Sequence, residues 1–409
     1  MKKFVICIVV LISVYIVFNL PYLCQNPSDK QVLKFSSWGS KSETDVIEKV
    51  ISRFEAEHPD IKVEFIHIPQ NYFQKIHLLF ASNLEPDVVF INNQNIQMYI
   101  KAGLLEDLSM HFKDAESIFF KEALDCFHDG EKLYAIPRDI SNLVIYYNKD
   151  ILKKQAVILP EKIENIYELK ELAQKLTTKD YFGINYEEEP LYWLYYPASE
   201  GGGVLSDDKK QIIITKKESL SAINLYSDMI NKYHTAPTKA QIGSMTTAQM
   251  FINGRLALYL GGRWMVPKFR ETADFDWDVI EFPSSEHGKV YIDASAWAVS
   301  KKSKNKEAAI ELLRYLSSEN TINEFTKSGL IIPARKSSAF GSSFLDGKKP
   351  HNSKAYLNML KNAKPTPVNE NYSSINDILR EKSQIIFNSG KKAEEVFNES
   401  AKKELEKNL

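Results

Sequence analysis

Trp38 stands directly before Gly39, and Trp264 follows Gly261-Gly262-Arg263. At both places an aromatic ring sits where a glycine-marked turn takes the chain off a predicted strand. Trp193, Tyr195 and Trp297 have similar polar neighbours. Asn92, Asp139, Glu200, Asp293 and Arg335 add carboxylates, an amide and a guanidinium near these turns. The chemistry open to such a set is recognition. A sugar ring has an apolar face, which a flat aromatic covers, and a rim of hydroxyls, which carboxylates, amides and arginine meet with charge-assisted hydrogen bonds. Any one of these aromatics is explained more simply by core packing. Trp38 and Trp264 resist that explanation best, because each marks a glycine break.

Motifs for bond-making chemistry are missing. The eight histidines form no HExxH or other short metal spacing, and there is no GxSxG elbow and no Walker loop. Gly201-Gly202-Gly203 lacks the dinucleotide pattern and follows an aromatic, helical stretch rather than a strand. Carboxylate pairs of a glycosidase leave no local motif, so that chemistry stays open here. Cys7, Cys24 and Cys126 make no CxxC or Cys/His cluster, which supports neither a disulfide framework nor a zinc site. Cys126 is expected to be a buried apolar filler. No metal and no cofactor are expected.

The elements that must position these residues follow from periodicity. Val32–Ser36 reads as a strand, Ser42 opens a helix with apolar Val46, Ile47, Val50, Ile51 and Phe54, and Ile61–Ile68 alternates as a second strand. A helix over 71–82 and a buried strand over 87–91 complete β-α-β-α-β, which implies a parallel sheet with ligand outside its carboxyl edge. Trp38 and Asn92 lie on that edge. In 129–150, Lys132–Ile136 reads as a strand and Ser141–Tyr147 as another. Pro137 cannot donate to a ladder, so it is expected to mark the exit from one sheet, with Pro137–Asn142 crossing to the next and Asp139 at a cleft mouth. Glu187-Glu188-Glu189 reads as a solvated loop. Thr215-x-x-Glu218 reads as a capping box, Asn305 as a helix cap, and 372–388 and 391–407 as two closing amphipathic helices.

A chain of 409 residues exceeds one core, and two domains are expected. Apolar content of 44% and charged content of 26% exclude a disordered chain. Lys+Arg 52 against Asp+Glu 53 leaves a net charge of −1, with no surplus to hold nucleic acid. After Lys2-Lys3 runs an uncharged apolar stretch, followed by Cys24. It is longer than an ordinary secretory h-region and long enough to span a bilayer. Two readings follow. One is a lipoprotein signal peptide with Cys24 acylated, although Pro21-Tyr22-Leu23 lacks the usual small residue. The other is an uncleaved anchor. Both tether residues 30–409 outside the cytoplasm.

Read in order, FSSWG, RFEAEHPDIKVEF, PDVVFIN, AGLLEDLS, DGEKLYAIPRDISNLVIYYNKD, ASEGGG, AQMFINGRLALYLGGRW, SAWAVSKKSKNKEAAIELLRYLSS and GLIIPARKS resemble the extracellular solute-binding proteins of ABC importers, in the sugar-binding branch. The resemblance runs from about residue 32 to the end. It departs at Asn165-Ile166, where Thr-Trp is usual. It implies an α/β, two-lobe, periplasmic-binding-protein-like fold of type II. One lobe would be 30–140 plus 292–343, and the other 141–291 plus 344–409, with 1–29 as signal or anchor. It implies a monomer that is not an enzyme and that binds a mono- or oligosaccharide. The protein would deliver this ligand to a membrane permease driven by a cytoplasmic ATPase. By position it implies cleft roles for Trp38, Asn92, Asp139 and Trp264, and for Tyr195, Glu200, Asp293, Trp297 and Arg335. Trp38, Trp264 and Trp297 would stack on sugars, the carboxylates would accept hydroxyl hydrogen bonds, and Arg335 would donate or form an inter-lobe ion pair. Relatives with the same fold carry phosphorylated polyols, polyamines or ferric iron, and an extracellular glycosidase is the remaining alternative.

Overall fold

The computed structural model describes residues 30–409. The expectations for the apolar leader and for Cys24 fall outside them. Twelve strands are present among the described residues: β1 (Gln31–Ser37), β2 (Ile61–His67), β3 (Val88–Asn92), β4 (His128–Asp129), β5 (Lys132–Leu133), β6 (Ile136–Ser141), β7 (Leu143–Asn148), β8 (Leu258–Gly262), β9 (Trp277–Glu281), β10 (Val290–Val299), β11 (Ile332–Pro333) and β12 (Ala363–Pro365). They form a seven-stranded sheet in the order β11-β6-β10-β3-β1-β2, with β12 beside β10, and a three-stranded sheet β8-β7-β9. β4 and β5 make a separate hairpin.

The first half of the larger sheet follows from the sequence pattern. β1 pairs in parallel with both β2 and β3. Leu33 and Phe35 point from β1 into the core and are fully buried. The helix Lys41–Glu57 covers them with Ile47, Val50 and Phe54, the face its apolar spacing specified. The smaller sheet packs around an aromatic cluster, with Tyr146 edge-on to Phe269 at 5.1 Å and Phe251 at 5.0 Å from Phe269.

The first passage between the sheets takes a single residue. β6 ends at Ser141 and β7 begins at Leu143, so Asn142 alone makes the crossing. It is buried and donates to the Tyr356 carbonyl at 2.9 Å. Pro137 therefore does not mark the exit. It lies inside β6, opposite Ala296 of β10, and the register shifts between Ser295 and Ala296. Arg138 is the extra residue of this bulge, and the bulge lets a proline sit in an internal strand without breaking it. The expected strand over Lys132–Ile136 is likewise divided: Lys132–Leu133 joins the hairpin, and β6 starts at Ile136.

Three smaller expectations are corrected, and a fourth holds in part. The helix Lys217–Asn231 starts after Lys216, so Glu218 misses the third position and no capping box forms at Thr215. Asn305 occupies an N-cap position, but its side chain binds the start of β1, donating to the Val32 carbonyl and accepting from Gln31. The last helix is two pieces, Ala393–Val396 and Glu399–Glu406. Buried Phe397 interrupts it, and Asn398 caps the second piece by accepting from the Ser400 and Ala401 N–H groups. The Glu187-Glu188-Glu189 run is a loop as expected, with Glu189 exposed and bonded to Arg380, but Glu187 is turned in and bonds Thr247.

Candidate functional site

Where the two sheets face each other, a cleft opens as two cavities of about 380 and about 200 Å³. Ser141, Trp264 and Ser295 line both. Trp264 is thus the divider. β8 ends in Gly261-Gly262, and one 3-10 turn, Arg263–Met265, then carries the indole back over its own strand. A Cβ on Gly262 would sit 1.9 Å from the Trp264 ring, so only glycine allows the indole this position.

The larger cavity takes Asn92 and Gln94 from the end of β3, Ser141 from β6 and Asp293 from β10. Opposite them stand Tyr192, Tyr195 and Trp264, and the helix Tyr372–Ser389 adds Tyr372, Asn376 and Arg380. Asp293 accepts from Asn93 Nδ2 and Gln94 Nε2, each at 2.8 Å. Burial pushes its carboxyl above the usual aspartate range, against the pull of these bonds. Asn92 caps the following helix by accepting from the Asn95 N–H at 3.2 Å. At the rim Arg380 bonds Glu189 at 3.0 Å and Asp377 at 2.8 Å.

The smaller cavity is more highly charged. Arg138 donates to Glu43 Oε1 and to Asp139 Oδ2, both at 2.5 Å, and all three side chains are buried. Burial works against the guanidinium charge, but Asp139 and Glu43 outweigh it and raise its pKa. The same guanidinium lies 4.2 Å from the Phe90 ring centre. Trp38 completes this wall, packed against Phe90 at 4.3 Å and Tyr72 at 5.0 Å. Gly39, with φ +137°, turns the chain there, and a Cβ on it would lie 2.6 Å from Glu43 Oε2.

Trp38, Asn92, Asp139, Tyr195, Trp264 and Asp293 therefore line one cleft, and three other candidates do not. Trp297 is on β10 but two residues deeper than Ser295. It is 1% exposed and packed against Phe90 and Phe325, so it belongs to the core. Glu200 ends the helix Tyr195–Ser199 and turns toward the Ile166 N–H at the start of another helix. Arg335 has left the sheet after β11 and donates to the Ser317 carbonyl at 3.1 Å. Tyr195 borders the larger cavity, but its hydroxyl is fully engaged. It accepts from the Leu143 N–H at 2.9 Å and donates to the Tyr291 carbonyl at 2.5 Å, tying β7 to β10.

Ser295, Tyr192, Arg138, Glu43 and the face of the helix Tyr372–Ser389 were not singled out from the sequence, whereas Gln94 follows Asn92 at the carboxyl edge expected to face ligand. Arg138 had a usable signal, being next to Asp139 in a strand with a proline.

Residues 49–349 match the family model described as bacterial extracellular solute-binding protein. The chain belongs to this family. As an extracellular solute-binding protein it binds its solute rather than transforming it. It is 24% identical over 357 residues to a galactooligosaccharide-binding protein of Bacillus subtilis, covering 83% of this chain and 80% of that one. It is 24% identical over 378 residues to the maltodextrin-binding protein of the same organism, covering 89% and 87%. Among solved structures, an ABC substrate-binding protein of Listeria monocytogenes in complex with cycloalternan superposes with a TM-score of 0.84 at 24% identity, covering 93% of this chain and 99% of that one. The fold is the two-lobe α/β arrangement of these binding proteins.

Proposed function

We propose that this solute-binding protein is the substrate-binding component of an ABC importer and captures a carbohydrate between its lobes. The observation that carries this reading is Trp264, an indole shared by two cavities whose other walls combine apolar and aromatic side chains with carboxylates, amides, hydroxyls and guanidiniums. That pairing of an apolar face with a polar rim matches a sugar ring. The relatives named for galactooligosaccharide and maltodextrin agree with it. The division into lobes 30–140 plus 292–343 and 141–291 plus 344–409 is supported by strand membership, with three adjustments. Ser141 still ends a strand of the first sheet, β10 of that sheet already begins at Val290, and β12 returns to it from the second segment. Trp38, Asn92, Asp139, Trp264 and Asp293 are the ligand-facing residues of this proposal. The closed, loaded form is what a membrane permease with a cytoplasmic ATPase would recognise, with the protein tethered outside the cytoplasm through Cys24 or an uncleaved leader. A relative in Streptococcus pneumoniae is named a solute-binding lipoprotein.

One member of each tyrosine pair is committed elsewhere. Tyr146 is buried and bonded to Tyr356 and the Gly262 carbonyl, and the Tyr195 hydroxyl is engaged as described. Among the described residues no group of three or more His, Cys, Asp or Glu could hold a metal ion.

A thermal-shift panel of mono- and oligosaccharides on ligand-free protein tests the proposal. A sugar present at a hundred times its Kd stabilises by about 2.7 kcal/mol, which is a clear rise in Tm. Trp264→Ala is expected to weaken that sugar roughly tenfold, or about 1.4 kcal/mol. No shift with any sugar would sink the reading.

A further inference from the structure

The cleft does not end at its rim. Glu189 and Tyr192, which line the larger cavity, also line a third cavity of about 590 Å³. This groove is built only from residues 186–268, on the side of the three-stranded sheet. Tyr192, Tyr259, Met245 and Met265 give it apolar lining, and Glu187 and Lys268 are among its polar residues. The short helices Lys239–Ile242 and Thr247–Ile252 each begin with a complete capping box, Thr238 with Gln241 and Thr246 with Gln249. Three cavities in a row, joined at Trp264 and again at Tyr192, repeat one pattern of aromatic rings and hydrogen-bonding groups. A single small ligand is served by a pocket of roughly 300–1,000 Å³. The larger cavity of about 380 Å³ lies near the bottom of that range, and the groove adds more volume than it holds.

We propose that the ligand is an oligosaccharide whose chain leaves the inter-lobe cleft past Tyr192 and lies along this groove. The inference rests on the carbohydrate reading and adds chain length and direction to it. The groove belongs to one side of the cleft, so units lying in it bind before the lobes close and stay bound as they reopen. The inner units alone report on closure.

The test is calorimetry on ligand-free protein with two homologous series, maltodextrins and galactooligosaccharides, from one to six units. Affinity is expected to climb at least roughly tenfold between two and five units in the series that binds, a gain of about 1.4 kcal/mol. Met245→Trp and Lys268→Trp fill the groove from separate segments, and each is expected to flatten the climb. Circular dichroism and Tm confirm that each variant is folded. Two results overturn the inference while leaving carbohydrate binding intact. One is a mono- or disaccharide that binds as tightly as its longer homologues, and the other is a climb that both variants leave in place. Absence of binding by every member of both series is a different failure, and removes the carbohydrate reading together with the groove.

Discussion

On the wall contributed by the seven-stranded sheet, Arg138 is buried between two carboxylates. On the wall contributed by the three-stranded sheet, Arg263 is buried with none. Arg263 is 2% exposed and donates through Nη1 to Ser353 Oγ at 3.0 Å, while its Nε and Nη2 have no partner. Its guanidinium lies 4.3 Å from the Phe344 ring centre and 5.3 Å from that of Tyr356. Burial accordingly lowers its pKa, whereas ion pairing raises that of Arg138. The first wall holds its charges by pairing them, and the second by stacking on aromatic faces. In formal charge Glu43, Arg138, Asp139 and Asp293 on the first wall sum to −2 and Arg263 on the second is +1, so the walls are opposite in sign as well as different. Complementary walls favour closure without fixing a particular ligand geometry.

The contrast predicts unequal costs for similar substitutions. Arg138→Met leaves Glu43 and Asp139 buried together without a cation, and is expected to cost about 3–5 kcal/mol in urea unfolding. A cost below about 1 kcal/mol would mean that the ion pairs of the first wall contribute little. Tyr195→Phe tests the seam between the walls. It strands the Leu143 N–H and the Tyr291 carbonyl, and a loss of roughly 1–3 kcal/mol is expected. An unchanged Tm together with weakened ligand binding would return Tyr195 to the ligand-contacting set. Arg263→Met should change stability by less than about 1 kcal/mol, on the stabilising side. It removes a buried, uncompensated charge and keeps an aromatic contact through sulfur. Ser353 loses little, because its hydroxyl also donates to the Pro350 carbonyl. A large loss here would erase the distinction between the walls.

How much of this was legible in the sequence differs along the same lines. The β1–β3 region was readable because its pattern is local. Alternation placed Leu33 and Phe35 inward, and glycine put Trp38 at a strand end. Alternation tells the face of a strand but not the depth, and Trp297 shows the consequence. It shares parity with Asp293 and Ser295 on β10, yet lies further in, under the rings of Phe90 and Phe325. Pro137 misled because a proline beside a bulge stays in the ladder, and a bulge has no sequence signature of its own. The Glu43–Arg138 bond joins positions 95 residues apart, and nothing in either segment announces the other. The same holds for Arg380 and Glu189, 191 residues apart, which the closing helix brings to the cleft rim. Contacts of that range depend on how finished elements pack, so they are invisible to periodicity.

The smallest expected effect concerns Asp293, which unlike Asp139 has no cation beside it. Amide donors hold it from Asn93 and Gln94, and burial raises its pKa above the unfolded value. A raised carboxyl binds more protons in the native state than in the unfolded chain over the window between the two pKa values. Stability from this group is therefore fully present below the unfolded value near 3.9 and is lost as pH rises through the folded one. Asp293→Asn lacks the titration. The stability difference, wild type minus variant, should move in favour of the wild type as urea unfolding is repeated from pH 7 down toward pH 4. A difference that stays constant, or moves the other way, would mean that Asp293 remains fully ionised in the folded protein. Ligand should oppose the trend. Sugar hydroxyls donating to Asp293 favour the ionised carboxylate, so a saturating sugar should flatten the pH dependence of the wild type and leave that of Asp293→Asn as it was. That second comparison separates a carboxylate that merely tolerates burial from one poised to receive a ligand.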